Sequence, residues 1–207
     1  FDDHDTHHAI SAFTTDPSGA IYMGEGVFLH TNVETAYGNV RGTNGGFYRY
    51  SPQRHHLERT AQLPIPNPWG IAFDDWGQPF FEHTSGPSAT WMMPGTIGVS
   101  SPLPENLIEK DHLVRPTSGL EFVSSRHFPD AAQGNMLIAN TIGFLGIKEH
   151  SMVDDPKTAG YVSKHQEDLI SASDKNFRPV DLEFAPDGSL YVIDWHNVLI
   201  GHMQHNA

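Results

Sequence analysis

The sequence predicts an all-β fold, a β-propeller or a related all-β repeat, on three observations. Amphipathic helical periodicity is scarce along the 207 residues. A unit of strand, tight Asp/Gly turn and strand recurs four times. The turn glycines stand at 19, 77, 134 and 188, so the unit returns at spacings of 58, 57 and 54 residues. Regular hairpin-bearing repeats of this length read as blades, each too small to bury its own faces and therefore packed on its neighbours.

The first unit runs from Ala9 to Phe13, turns at Asp16-Pro17-Ser18-Gly19, and continues as Ala20 to Met23. Pro presets the first φ of such a turn and Gly accepts a positive φ, which joins adjacent antiparallel strands. The second runs Gly70 to Phe73, Asp74-Asp75-Trp76-Gly77, then Pro79 to Phe81. The third is Gly119 to Phe122, a longer link ending Asp130 to Gly134, then Met136 to Ile138. The fourth is Asp181 to Phe184, Ala185-Pro186-Asp187-Gly188, then Leu190 to Ile193. Val180, Leu182 and Phe184 alternate with Asp181 and Glu183, the period-two pattern of a strand with one face more buried. Between these units, Gly45 to Tyr50 and His56 to Arg59 read as the outer hairpin of a blade, whereas Leu103 to Val114 and Thr158 to Ile170 admit short strands or a helical turn. Four units fill residues 1–207 as a single domain. A closed ring needs more blades than four, so the chain reads as part of a larger propeller whose missing blades are its expected partners.

Composition removes several function classes. With 25 Asp and Glu against 12 Lys and Arg, the formal charge is −13, opposite to what a nucleic-acid phosphate binder needs. Cysteine is absent, which excludes disulfide frameworks, thiolate metal sites and Cys nucleophiles. No run approaches 18 apolar residues, so no spanning helix is expected. The opening Phe1-Asp2-Asp3-His4 is neither basic nor apolar, so no signal peptide is expected, and it lacks an initial Met, as an excerpted chain would. No GxSxG elbow, HExxH helix, P-loop or Rossmann fingerprint occurs.

In a propeller the innermost strands line a central channel, and the segments leading into them gather at one mouth. Here those segments are Asp3 to His8, Asn67-Pro68-Trp69, Arg115 to Ser118, and Asn176 to Pro179, a polar set suited to a small molecule. The chain carries 14 His, and the opening Asp2 to His8 cluster has three readings. Asp3 and Asp5 with the imidazoles offer ligands for a divalent metal; a His of the pair serves as general base; or the segment is a solvated acidic tail. On the opposite ends of the repeats, Glu25, Glu82-His83 and Asp194 to Asn197 stand out. The loop Ser85-Gly86-Pro87 offers carbonyls to calcium or simply connects strands. Trp69 and Trp195 suit packing between blades, and His202 to His205 suits a frayed end.

Motifs in order along the chain resemble the soluble quinoprotein sugar dehydrogenases. Asn67-Pro68-Trp69-Gly70-Ile71-Ala72-Phe73 with Glu82-His83 is similar to their Asn-Pro-x-Gly-Leu-Ala segment and following Glu-His. Arg178 to Asp194 is similar to their Arg-x-x-Asp-Val and Pro-Asp-Gly-x-Leu-Tyr-Val strand pair, and His8 to Glu25 to the segment carrying their catalytic His. Closer still, Asp5 to His8, Phe73 to Gly77, Arg178 to Asp181 and Asp194 to His202 resemble the membrane-bound dehydrogenase propellers of planctomycetes. The resemblance implies a six-bladed propeller holding pyrroloquinoline quinone and calcium, oxidising a sugar or related alcohol outside the cytoplasm, in the periplasm or after secretion. By motif matching it makes His8, or His7, the base and Arg178 a contact to the cofactor. Asn67, Trp69 and Asp181 join the cofactor site, and Gly86-Pro87 supplies calcium carbonyls. Pro66 stands where those enzymes carry Arg, Trp69 where they carry Gln, and Gly86-Pro87 lies two residues late. A calcium-dependent lactonase, using Asp3, Asp5, His7, His8, Asn67 and Asp181 as ligand types, and a non-enzymatic propeller binding glycan or protein are the alternatives.

Overall fold

The computed structural model describes residues 1–84, 88–92 and 105–200. The first sheet holds β1 (Ser11–Thr15), β2 (Ile21–Glu25), β5 (Gly46–Ser51) and β6 (His56–Ala61) in that order, all antiparallel. A separate hairpin of β3 (Asn32–Thr35) and β4 (Gly38–Arg41) projects between its second and third strands, an insertion the repeat pattern does not announce. The second sheet is β7 (Pro68–Phe73), β8 (Pro79–His83) and β9 (Ser88–Trp91). The third is β10 (Thr117–Phe122), β11 (Met136–Asn140), β12 (Gly146–Asp155) and β13 (Gly160–His165), with β14 (Ile170–Ser171) also on β12. The last pair is β15 (Pro179–Phe184) and β16 (Leu190–Asp194). The stretches left open in the sequence are a one-turn 3-10 helix at Lys110–His112 and the strands β13 and β14.

Each repeat turn closes as its chemistry demands. Asp16 accepts the backbone N–H of Ser18 and Ala20, and Asp74 accepts those of Trp76 and Gln78, so the turn carboxylate replaces missing ladder partners. Gly19, Gly77, Gly134 and Gly188 all have φ between +75° and +86°, the left-handed region that glycine enters without a Cβ penalty.

The core lies between blades, because facing sheets present apolar side chains to one another. Phe47, Leu63, Ile65, Ile71 and Phe81 join the first sheet to the second. Ala72, Phe80, Leu120, Phe122, Met136 and Ile138 join the second to the third. Val123, Leu137, Ile147 and Leu182 join the third to the last pair. A fully buried Phe or Leu contributes about 1.5–3 kcal/mol, so these seams fix the order of the blades. The innermost strands consequently pack β1 on β7, β7 on β10 and β10 on β15. Near the mouth two hydroxyls fasten neighbours: Ser11 Oγ donates to the Pro68 carbonyl and Ser118 Oγ to that of Pro179.

Candidate functional site

The opening segment is held in place, which overturns the reading of a loose acidic tail. The Phe1 ring meets Tyr48 edge-on at 5.2 Å, the Asp2 N–H donates to Thr31 Oγ1, and Asp2 Oδ2 accepts the N–H of His30 at 2.7 Å. Beneath lies fully buried Glu25, which accepts from Thr31 and from the Tyr48 hydroxyl. His8 is fixed from both sides. Its carbonyl accepts the Gly26 N–H, and a Cβ at Gly26 would lie 2.6 Å from the Pro66 carbonyl oxygen and 2.9 Å from His8 Cβ. Glycine there brings the His8 segment against the approach to β7.

His8 Nδ1 lies 2.8 Å from Asp5 Oδ2. That bond with His8 holds the Asp5 carboxyl below its usual range, aided by the His7 N–H on its other oxygen. An ionised carboxylate accepts only, so in the neutral ring the proton sits on Nδ1 and Nε2 is left as the acceptor. The His7 ring is edge-on to His8 at 4.8 Å, and Phe28 is edge-on to it at 5.2 Å.

The other expected residues divide. Asn67 is half-buried, its carbonyl accepting the Thr84 N–H. Arg178 is buried and its guanidinium donates to the carbonyls of Thr141, Asn197 and Val198, at 2.6–3.2 Å. Three of its five donors therefore brace the mouth loops instead of facing a ligand. Arg115, by contrast, is exposed at the approach to β10, with no bond to another described side chain. Asp3 is exposed, Asp5 is turned to His8, and among the described residues no three His, Asp or Glu side chains form a group able to hold a metal ion. Gly86 and Pro87 lie outside the described residues, as does the segment from His202 to His205.

All four innermost strands slip register near the mouth: between Ser11 and Thr14, Pro68 and Gly70, Thr117 and Leu120, and Pro179 and Asp181. A bulge re-aims side chains and is common beside sites. Here the first two turn Phe13 and Trp69 onto a channel cavity of about 270 Å³, completed by Ala12, Thr14, Gly70, Ile71, Leu120, Asp181 and Glu183. Asp181 and Glu183 project from alternate positions of β15. Both open onto the channel yet are flanked by protein, and that partial burial raises their pKa values. Glu121 lies beside Glu183, and burial first, then the neighbouring carboxylate, pushes its pKa up. Glu82 is fully buried with neither oxygen in a hydrogen bond. Burial, only partly offset by the nearby Thr117 hydroxyl, raises its pKa well above the usual carboxylate range.

Sequence reasoning missed that Glu82, Glu121 and Glu183 gather around Asp181. Their signal is acid placed on or directly behind an innermost strand, which in the sequence looks like plain strand alternation.

A family model for a domain of unknown function, DUF7133, matches residues 105–206, just under half of the chain. No curated protein matches the chain. Among solved structures, a luciferin-regenerating enzyme superposes with a TM-score of 0.60 at 14% identity, over 96% of this chain and 57% of that one. A protein described as an oxidoreductase (glucose dehydrogenase) from Thermus thermophilus gives 0.57 at 17% identity, over 87% of this chain and 57% of its own. The chain has the β-propeller fold. A further glucose dehydrogenase gives 0.52 at 14% identity, over 88% and 59% respectively. The chain thus spans less than two thirds of these propellers, and at such identities the likeness is one of fold.

Proposed function

We propose that this propeller serves an oxidoreductase acting on a sugar or related alcohol at the mouth, with His8 as general base and a quinone as electron acceptor. The observation that carries the reading is the Asp5–His8 pair, which orients an imidazole in the segment leading into the innermost strand β1. Nε2 takes the proton of a substrate hydroxyl as its carbon is oxidised; Asp5 stabilises the imidazolium that forms. His7 stands beside the base, edge-on to it.

The mouth fits a carboxylated planar quinone in kind. Arg115 offers an exposed guanidinium for its carboxylates, Trp69 a partly exposed indole face, and Asn67 a neighbouring amide. When bound, pyrroloquinoline quinone supplies the hydride acceptor. Arg178 would act on that site through the loops that it braces. Since the described His, Asp and Glu side chains build no metal site of their own, a calcium ion there would take ligands from backbone carbonyls and the cofactor itself.

The test is a titration with pyrroloquinoline quinone in calcium buffer, read by absorbance and thermal shift, followed by dye-coupled oxidation of sugars and alcohols. A stoichiometric calcium-dependent complex is expected, and His8→Ala should abolish oxidation without unfolding the protein. Asp5→Asn should lower the rate by about 10²-fold or more. Absence of a complex, or full activity in His8→Ala, overturns the proposal. Lactone turnover with calcium and no chromophore would replace it with hydrolysis.

A further inference from the structure

The channel beneath the mouth carries a chemistry that hydroxyl oxidation does not use. Phe13 and Trp69 leave 60% and 39% of their surfaces exposed along it. Facing them are Asp181 and Glu183, with Glu121 against Glu183. Glu82 stands directly behind this wall: a Cβ on channel-lining Gly70 would lie 2.7 Å from Glu82 Cγ, and Asp181 is the charge it feels. Its two oxygens are buried and make no hydrogen bond. No Lys or Arg lines the cavity.

Asp181 and Glu183 line the cavity with Glu121 and Glu82 packed behind them, and carboxyls so grouped repel each other once ionised. That cost falls when a ligand brings positive charge and N–H donors to the two that line it. A metal ion needs ligands converging on one point, and no three described His, Asp or Glu side chains do so. An organic ammonium instead offers three separate N–H donors, and its ring or C–H face suits aromatic walls.

We propose that the channel is a binding site for an ammonium-bearing small molecule of monosaccharide size, an amino sugar in type, with Phe13 and Trp69 on its carbon face and Asp181 and Glu183 on its ammonium group. The site stands independently of His8. If the oxidation at the mouth also holds, the channel biases that reaction toward aminated substrates.

Calorimetric titration with D-glucosamine, D-glucose and N-acetyl-D-glucosamine at neutral pH tests the assignment, because the three differ chiefly in the charge at one carbon. Glucosamine should bind at least about ten-fold more tightly than either neutral sugar, and its affinity should fall as salt rises. Glu183→Gln, on an exposed strand position, should weaken glucosamine by about ten-fold or more while leaving the neutral sugars unaffected, whereas Phe13→Ala should weaken all three, whose carbon face is common. His8→Ala should bind glucosamine as the wild type does, which separates this site from the catalytic reading. Equal affinity for the three sugars, or no binding of glucosamine, overturns the proposal. So does unchanged glucosamine affinity in Glu183→Gln.

Discussion

His150 gives the protein a pH-dependent weakness that can be measured without knowing any substrate. It sits on β12, fully buried, with both ring nitrogens unpartnered. Around it stand His165 on β13, edge-on at 5.3 Å, His112 stacked on His165 at 3.9 Å, Lys148 on its own strand, and Glu109, which accepts the His165 backbone N–H. Burial, reinforced by His165, His112 and Lys148, lowers its pKa from 6.5 to about 4. A histidine neutral when folded but protonated when unfolded makes no difference above pH 6.5. Stability is lost as pH falls through 6.5, and the loss is complete below about 4. At about 1.4 kcal/mol per pH unit the full gap is worth about 3 kcal/mol, of which about 2 kcal/mol has gone by pH 5. The raised carboxyls Glu82, Asp181 and Glu183 work in the opposite sense, stabilising the fold at lower pH, so wild type alone is ambiguous. Comparison with His150→Leu removes them. Urea unfolding of both proteins between pH 7.5 and 5 should show the wild type losing about 2 kcal/mol relative to the variant. A difference that stays constant over that range would refute the reasoning.

Two further outcomes follow from the mouth and the channel wall. Arg178→Lys should destabilise the protein by about 2–4 kcal/mol in thermal or urea unfolding, since an ammonium cannot serve three divergent carbonyls; unchanged stability with weakened quinone retention would return Arg178 to a ligand-binding role. Gly70→Ala should cost about 1–3 kcal/mol, because the new Cβ would meet Leu120 Cβ at 2.6 Å and Glu82 Cγ at 2.7 Å, and a urea midpoint equal to wild type would show that the seam can yield.

The blade units were legible because their information is local. A Pro-Asp-Gly turn and an alternating strand such as Val180 to Phe184 need only neighbours in the chain. The proposed base was half legible. His8 could be singled out as a type, but Asp5 as its brace, three residues away, depends on a turn whose geometry the sequence leaves open. Arg178 shows the opposite case. Its chemistry suits an anionic ligand, and only the folded loops reveal that the carbonyls of residues 141, 197 and 198 take its donors. The β3–β4 hairpin escaped notice because Asn32–Thr35 and Gly38–Arg41 are four-residue strands with little apolar content.

By itself, the sequence determined an all-β repeat of four turn-closed units, an acidic surface, the absence of thiol chemistry and a polar set of residues leading into the innermost strands. Those properties follow from backbone preference, alternation and charge count, which act within a few residues. Only the tertiary structure decided what meets across the channel. Glu82, Glu121, Asp181 and Glu183 come from three different sheets, and Phe13 and Trp69 reach the same cavity through register slips in two more strands. Proximity between residues of different sheets that lie 39 to 170 positions apart is set by how the seams of Phe, Leu and Ile order the blades, and no local pattern encodes it.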